Sequence, residues 1–274
     1  MSNIHPTSIV DSQVQLADEV EIGPGCMLQG RITLGTGTRL IGNVYMQGPL
    51  NLGPGNTFYP FCCIGFAPQD WSFESGAEGA GLRIGANNIF RESVTVHRAT
   101  SFDPDCPTVI GDGNYFMVGG HVGHDSVLGN RCVLANGVQL GGHVTLEDIA
   151  NLAGGAMVHQ FCRIGRLAMV GGLQALTQDA PPFCICHKLR GVSSLNIVGL
   201  RRAGLRAHID PLKHAFDILF RGGHTNPHAV HLVKQHLGHD PLCHELAEFV
   251  TRTKRGITPY MRSKKAARET TAVN

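Results

Sequence analysis

Aromatic residues are scarce in this chain: phenylalanine, tyrosine and tryptophan together make 6% of its 274 residues, with a single tryptophan among them. A core must therefore be filled chiefly by aliphatic side chains. Charge of one sign is also lacking, since 23 basic against 21 acidic residues leave a formal net charge of +2, and bulk nucleic-acid binding is not indicated. No apolar run is long enough to span a bilayer. The stretch Met1-Ser2-Asn3-Ile4-His5-Pro6 lacks the basic flank and apolar segment of a signal peptide, so a cytoplasmic protein is expected. The nine cysteines show no zinc-knuckle spacing; Cys184 and Cys186, one residue apart, are a weak metal hint at most. Their odd number, and the fall of Cys26, Cys62, Cys132 and Cys162 where a repeat takes a small apolar residue, read as reduced core thiols.

Glycine, by contrast, is abundant, at 35 residues, and it accompanies a period. From Ile110 an apolar residue returns every sixth position, through Phe116, Val122, Leu128, Leu134, Leu140, Leu146, Leu152, Val158, Ile164 and Val170 to Leu176. A helix repeats near 3.6 residues and a strand near 2, so a strict six demands short extended segments joined by tight corners, each coil stacked on the last. The expected fold is a parallel β-helix of hexapeptide repeats. The residue after the apolar one is often small (Gly111, Gly123, Gly129, Ala135, Gly141), which places the turn of the chain there. The same phase opens with Ile4, Val10 and Leu16 and holds to Ile64; it slips by two at Ile84 and by two again at Ile110. Each slip implies an insertion bulging from a corner. The first spans 66–82 and carries Gln69, Asp70 and Trp71; the second spans 99–108. Loops outside the repeat register are where solenoids carry binding residues.

Past Leu176 the pattern changes. Pro181-Pro182 is expected to stop further coils from pairing, and a connecting stretch to about Leu195 leads into helical periodicity. Asp210-Pro211, Asn226-Pro227 and Asp240-Pro241 each open an apolar-striped run, closed near Gly222-Gly223, Gly238 and Gly256. The domain organisation is then a β-helix over 1–195, a helical domain over 196–265 packed on the solenoid or on neighbouring subunits, and a frayed polar tail over 266–274.

Four histidines fall inside the regular stretch. Three hexads make one triangular coil of roughly 18 residues, so His124, His143 and His159 lie within one residue of a single edge column, with His121 three residues before His124. Each alone reads as a solvated edge residue. In register, beside Asp125 and Gln160, they read as a site, because chemistry needs convergent polar groups that titrate near neutrality.

Longer strings narrow the reading. Ile89-Phe-Arg-Glu-Ser-Val-Thr-Val-His97-Arg98, His121-Val-Gly-His124-Asp125, Gly142-His143-Val144, Val158-His159-Gln160-Phe161-Cys162, Gln178-Asp179-Ala-Pro-Pro182 and Asn196-Ile-Val-Gly-Leu-Arg-Arg202 together closely resemble the bacterial UDP-N-acetylglucosamine O-acyltransferase family of lipid A synthesis, over nearly the whole chain. The resemblance implies a left-handed coil, against the usual right-handed crossover, and a homotrimer with active sites between neighbouring prisms. It implies an acyl carrier protein as acyl donor, a UDP-sugar as acceptor, and no metal or other cofactor. It gives His124 the role of general base, Asp125 that of its orienting partner, and Gly142 that of oxyanion donor through its backbone N–H. Substrate contacts carried over in the same way are Gln69, Asp70, His97, His121, His143, His159 and Gln160, with Gly172 measuring the acyl chain and Asn196 and Arg202 touching donor and nucleotide.

The chain also departs from that pattern. Ser72 stands where the family has a lysine, Val198 where it has an acidic residue, and Cys186–Gly191 lacks its Gly-Asn pair, so an acceptor related to UDP-N-acetylglucosamine is a second expectation. Arg201, Arg202 and Arg206, with Lys264 and Lys265 in the tail, are either solvated charge or a basic rim for an acidic carrier protein. A different enzyme class, the γ-type carbonic anhydrases, uses the same repeat with three zinc-binding histidines. Its ligand pair sits five residues apart, whereas His121 and His124 are three apart. A catalytically silent scaffold is the remaining alternative.

Overall fold

The computed structural model describes residues 2–74, 76–187 and 191–260. The expected tail over 266–274, Lys264 and Lys265, the end of the helical domain and the middle of Cys186–Gly191 lie outside the described residues. Among those described, strands of two to five residues form three sheets of eleven, nine and eight strands, the walls of a triangular left-handed prism. Coil pairs with coil in parallel at an 18-residue step: Val133 faces Asn151, Gln139 faces Met157 and Thr145 faces Arg163. The residue at each sixth position points inward. Leu134, Leu140, Leu146 and Leu152 are all buried, and each lies beside a side chain that points outward, as strand alternation requires.

The corners hold a correction. The small residue after the apolar one does not mark the bend; the left-handed backbone comes two positions later, at Asp125, His143 and Phe161 along one edge (φ 57, 58 and 66) and at Arg131, Ile149 and Leu167 along the next. Smallness has another cause. A Cβ on Gly123 would stand 2.6 Å from the backbone of Gly141, and one on Gly141 would stand 2.8 Å from that of Gln160, so successive coils touch there. A β-branched residue such as Ile149 in the left-handed region costs about 1–2 kcal/mol, a cost that the coil register around it must offset.

Two ladders run through the interior. Phe58, Phe90 and Phe116 stack at 4.5 Å between ring centres. Beside them Asn56 accepts from the backbone N–H of Asn88, Asn88 from that of Asn114, and Asn114 from that of Cys132, so buried amides satisfy the backbone where the coil turns. Both insertions leave the register intact: Leu50 pairs with Leu82 and Leu82 with Thr108, the extra residues looping out. All nine cysteines are free, and burial pushes the Cys62 and Cys132 thiols up to about 12.

Pro181-Pro182 does not end the sheet. The prolines turn the corner, Met169 pairs with Ile185 in a shortened coil, and Gly191–Leu195 folds back antiparallel on Cys184–His187 to close the edge. The helices then cap that end. Helix α1 (Ile197–Arg202) was not signalled by a proline; α2 (Ile209–Phe216) begins one residue before Asp210, which pairs with Lys213 instead of capping, and continues through a wider turn at Asp217–Arg221. Helix α3 (Asn226–Leu237) matches its expected run; α4 (Pro241–Thr251) starts where expected but ends at Thr251, short of Gly256, and the Asp240 carboxylate caps it by accepting from Leu242 and Cys243. Their buried faces join the solenoid core, and Arg166 of the last full coil clasps Glu245 of α4 with two hydrogen bonds of 2.9 and 2.6 Å. The cap and the prism therefore share one interior. Among the described residues no helix is long and apolar enough to cross a membrane.

Candidate active site

Neighbouring residues in a strand point to opposite faces, so His124 and Asp125 should not meet. They do, because Asp125 occupies the left-handed corner and its side chain swings back: His124 Nδ1 lies 2.7 Å from Asp125 Oδ2. The next coil places His143 at the same corner, its Nε2 3.6 Å from that carboxylate and its backbone N–H donating to the carbonyl of His124. One coil further, Phe161 stacks on the His143 ring at 4.5 Å. An acid, an imidazole and a phenyl ring thus occupy three successive steps of one edge.

Asp125 is heavily bonded. The Thr100 hydroxyl donates to Oδ2 at 2.8 Å and the Thr100 backbone N–H to Oδ1 at 3.0 Å, while Thr108 accepts the Asp125 backbone N–H. Burial alone would push this carboxyl up, but the hydrogen bonds from His124 and Thr100 and the nearby His143 outweigh it and hold it at about 2. It is an anion across the physiological range. Thr100 belongs to the second insertion, which the sequence marked only as a loop. The two insertions lean on each other through stacked Phe73 and Phe102 rings at 5.9 Å and a hydrogen bond from Ala80 to the Ser101 carbonyl. Arg98, buried at their base, anchors the first by donating to the carbonyls of Gly65 and Ala77.

A cleft of about 510 Å³ opens over the nine-stranded sheet beside this corner. Gln69, His97, His121, His124, Gly142, His159 and Gln160 all line it, with an apolar floor that includes Leu140, Met157 and Leu176. Gly142 sits against the catalytic candidate so closely that a Cβ there would fall 2.7 Å from His124 Nε2, and among the described residues none of the turn and coil-to-coil hydrogen bonds uses its N–H. The His97 and His121 rings meet edge to face at 5.1 Å, and His121 Nδ1 bonds the Thr95 hydroxyl at 2.7 Å. Burial, and then the neighbouring His121, His124 and Arg98, push His97 down to about 4; burial and His124 lower His121 as well. Arg255, from the segment after α4, reaches His159 Nδ1 at 3.3 Å.

Not every expected residue joins them. Asp70 stands nearby in the first insertion, where its carboxylate accepts from the Ser72 hydroxyl at 2.7 Å and backbone N–H at 2.8 Å and is lowered by these bonds. Gly172 does not line this cleft; it lies at the far corner of the same sheet, above Gly154. Asn196 is committed to structure: it caps α1 by accepting from Gly199 and donates to the Leu167 carbonyl, at the corner away from the nine-stranded sheet. Arg202 is exposed at the end of α1. Thr100, Thr108, Thr95 and Arg255 were missed, because no repeat position or motif distinguishes a residue that acts through another side chain. His124, Asp125 and His143 each offer an atom within 4.8 Å of the others, a set that a metal ion could use; the carboxylate already accepts three hydrogen bonds of 3.0 Å or less.

Fold and site together define an acyltransferase of the hexapeptide-repeat class. Residues 179–258 match the family model described as UDP-N-acetylglucosamine O-acyltransferase, domain 2. The acyl-(acyl-carrier-protein)–UDP-N-acetylglucosamine O-acyltransferase of Thermodesulfovibrio yellowstonii is 42% identical over 259 residues, 94% of this chain and 99% of that one, and its Anaeromyxobacter counterpart is 40% identical over 93% and 99%. Among solved structures, the UDP-N-acetylglucosamine acyltransferase of Francisella novicida superposes with a TM-score of 0.89 at 29% identity, covering 96% of each chain; that of Moraxella catarrhalis gives 0.86 at 34%, covering 93% and 99%. The chain belongs to the acyl-(acyl-carrier-protein)–UDP-N-acetylglucosamine O-acyltransferase family.

Proposed function

We propose that this protein moves a 3-hydroxyacyl chain from acyl carrier protein to a hydroxyl of UDP-N-acetylglucosamine, the step that opens lipid A synthesis, with His124 as general base. The observation that carries the reading is the short His124–Asp125 hydrogen bond at the wall of the cleft, with Gly142 against the ring. Because the Asp125 carboxylate only accepts, Nδ1 carries the proton and Nε2 keeps a lone pair. Nε2 takes the sugar hydroxyl proton as the oxygen attacks the thioester carbonyl carbon. The carbonyl oxygen gains the negative charge and accepts from the Gly142 N–H. On collapse the C–S bond breaks and the leaving thiolate takes the proton back from His124, while Asp125 stabilises the transient imidazolium. Gln69, Asp70, His97, His121, His143, His159 and Gln160 position the acceptor, and the apolar floor toward Gly172 takes the chain.

The remaining contacts need a second copy of the chain. Asn196 is engaged within its own chain and Arg202, exposed at the end of α1, does not line the cleft, and a homotrimer would bring one copy's α1 end to its neighbour's cleft. Sedimentation that found a stable, active monomer would refute this arrangement. Arg201, Arg202 and Arg206 would then rim the mouth where an acidic carrier protein docks.

A second reading, a metal-dependent hydrolyase, draws on the clustered atoms of His124, Asp125 and His143. One assay separates the two: thiol release from an acyl carrier protein thioester with and without UDP-sugars, after treatment with a strong chelator and with metal content measured. Sugar-dependent release that survives the chelator is the expected result; loss of activity on chelation overturns the transferase mechanism. The UDP-sugar that raises Tm most identifies the acceptor and decides whether Ser72 and Val198 have changed it.

A further inference from the structure

We propose that the helical cap carries a site for a borderline divalent transition-metal ion, formed by His224 in the loop before α3 and by His228 and His231 on the solvent side of that helix. His228 and His231 stand at i and i+3 in α3, which places them on one side of the helix, and His224 lies two residues before its start. All three are exposed, whereas Ala229, Val230 and Val233 form the buried side. The rings of His224 and His228 already touch, 5.1 Å between centres and 70° between planes. Two imidazoles on one tetrahedral ion, each with a metal–nitrogen bond of about 2.0–2.1 Å, hold their ring centres roughly 5 Å apart, so this pair already has the spacing of two ligands and His231, one helical turn on, must swing toward it to complete the set. Among the described residues none of the three rings makes a hydrogen bond that would have to be broken.

The loop before the helix is shaped around the first ligand. A Cβ on Gly222 would stand 2.8 Å from His224 Cδ2 and 3.0 Å from its Nε2, so the ring rests where only glycine leaves room. Gly223 beside it has φ 71, a left-handed turn that returns the chain toward α3. The stretch 221–239 contains no aspartate or glutamate, and an all-imidazole donor set selects Cu2+, Ni2+ or Zn2+ over the hard cations Mg2+ and Ca2+. A bound ion would tie the turn after Arg221 to the first two turns of α3 and stabilise the cap by mass action. Neither the position nor the chemistry depends on the acyl-transfer reading.

Calorimetric titration of the full-length, untagged protein with Ni2+ tests the site. The expected result is one equivalent bound per chain at this site, weakened at least about tenfold in His228→Ala and in His224→Asn. Ni2+ should raise Tm in the wild type and fail to do so in His228→Ala, with acyl transfer unchanged in that variant. Since His228 is exposed, circular dichroism should show its variant folded; His228→Gln serves if it is not. Unchanged affinity in both His228→Ala and His224→Asn, loss of the equivalent in His143→Ala instead, or equally tight binding of Mg2+ would each overturn the proposal.

Discussion

Two histidine pairs stand at the cleft, which His97, His121 and His124 line and His143 backs from a neighbouring cavity, and their rings meet in nearly the same way, edge to face at 5.1 Å for His97 with His121 and 5.3 Å for His124 with His143. Their electrical surroundings are opposite. Around the second pair lies Asp125, kept anionic at about 2, which stabilises any positive charge that arrives on His124. Around the first, among the described residues, there is no carboxylate contact; its setting is the Thr95 hydroxyl and burial, and His97 is pushed down to about 4. The same residue type therefore meets two environments, one ring hydrogen-bonded to a carboxylate and one buried beside a second imidazole. What differs is one corner residue, in left-handed backbone, supported by a threonine from an insertion.

The contrast can be broken most severely at His124. His124→Ala should lower kcat by about 10²–10⁴, or roughly 3–5 kcal/mol of barrier, with little change in acceptor binding, because the loss is confined to the transition state. His97→Ala should instead raise KM more than it lowers kcat; the reverse pattern would mean that the pairs have been assigned backwards. Thr100 sharpens the comparison from the carboxylate side. Removing its hydroxyl bond to Asp125 should cost about 1.5–3 kcal/mol of support for the charged form, read as a kcat loss of roughly 10- to 150-fold in Thr100→Ala with KM intact. Thr100→Ser should recover most of it, and a variant equal to wild type would remove Thr100 from the account.

Acidification reports on the neutral pair. Between pH 6.5 and 4 the unfolded chain binds a proton at His97 that the folded chain resists, so stability should fall as pH drops through this window. Asp125 behaves differently, since its contribution is present above its ordinary range and is lost only as pH falls from about 3.8 toward 2. Thermal melts of wild type and His97→Gln compared from pH 7 to 4 should diverge, the variant being flatter; parallel curves would contradict the assignment. The smallest effect is expected at Ser72. Ser72→Lys replaces a neutral donor to Asp70 with a cation in the cleft's first insertion and should lower KM for a UDP-sugar a few-fold, since charge-assisted bonds to phosphate are the stronger ones. No change with unaltered folding would place that insertion away from the nucleotide.

Much of the site was legible because a solenoid converts sequence spacing into position. Eighteen residues make one step, so His124 and His143 had to lie near one edge and Gln160 beside them, and the two phase slips had to be insertions. The second insertion was legible as a loop but its task was not: Thr100 is 25 residues from Asp125 and belongs to no repeat. Pro181-Pro182 misled for a related reason. Proline forbids a ladder bond at its own position, yet here both residues occupy a corner, and the strand after them still pairs. Asn196 shows the converse case, a motif residue whose amide is already engaged at both ends by the cap of α1 and the Leu167 carbonyl.

By itself the sequence determined the period, and with it the stacked coils, the inward aliphatics, the insertions and the helices that close one end, since each follows from which positions must leave water. Tertiary structure alone decided that adjacent His124 and Asp125 face each other, that one histidine pair stands against a carboxylate and the other against a threonine hydroxyl, and that a threonine from a distant loop holds the carboxylate. Those outcomes depend on backbone turns and on contacts between residues far apart in the chain. Hydrophobic spacing specifies which side of a strand is buried; it carries no information about where a corner aims a polar side chain or what bonds await it there.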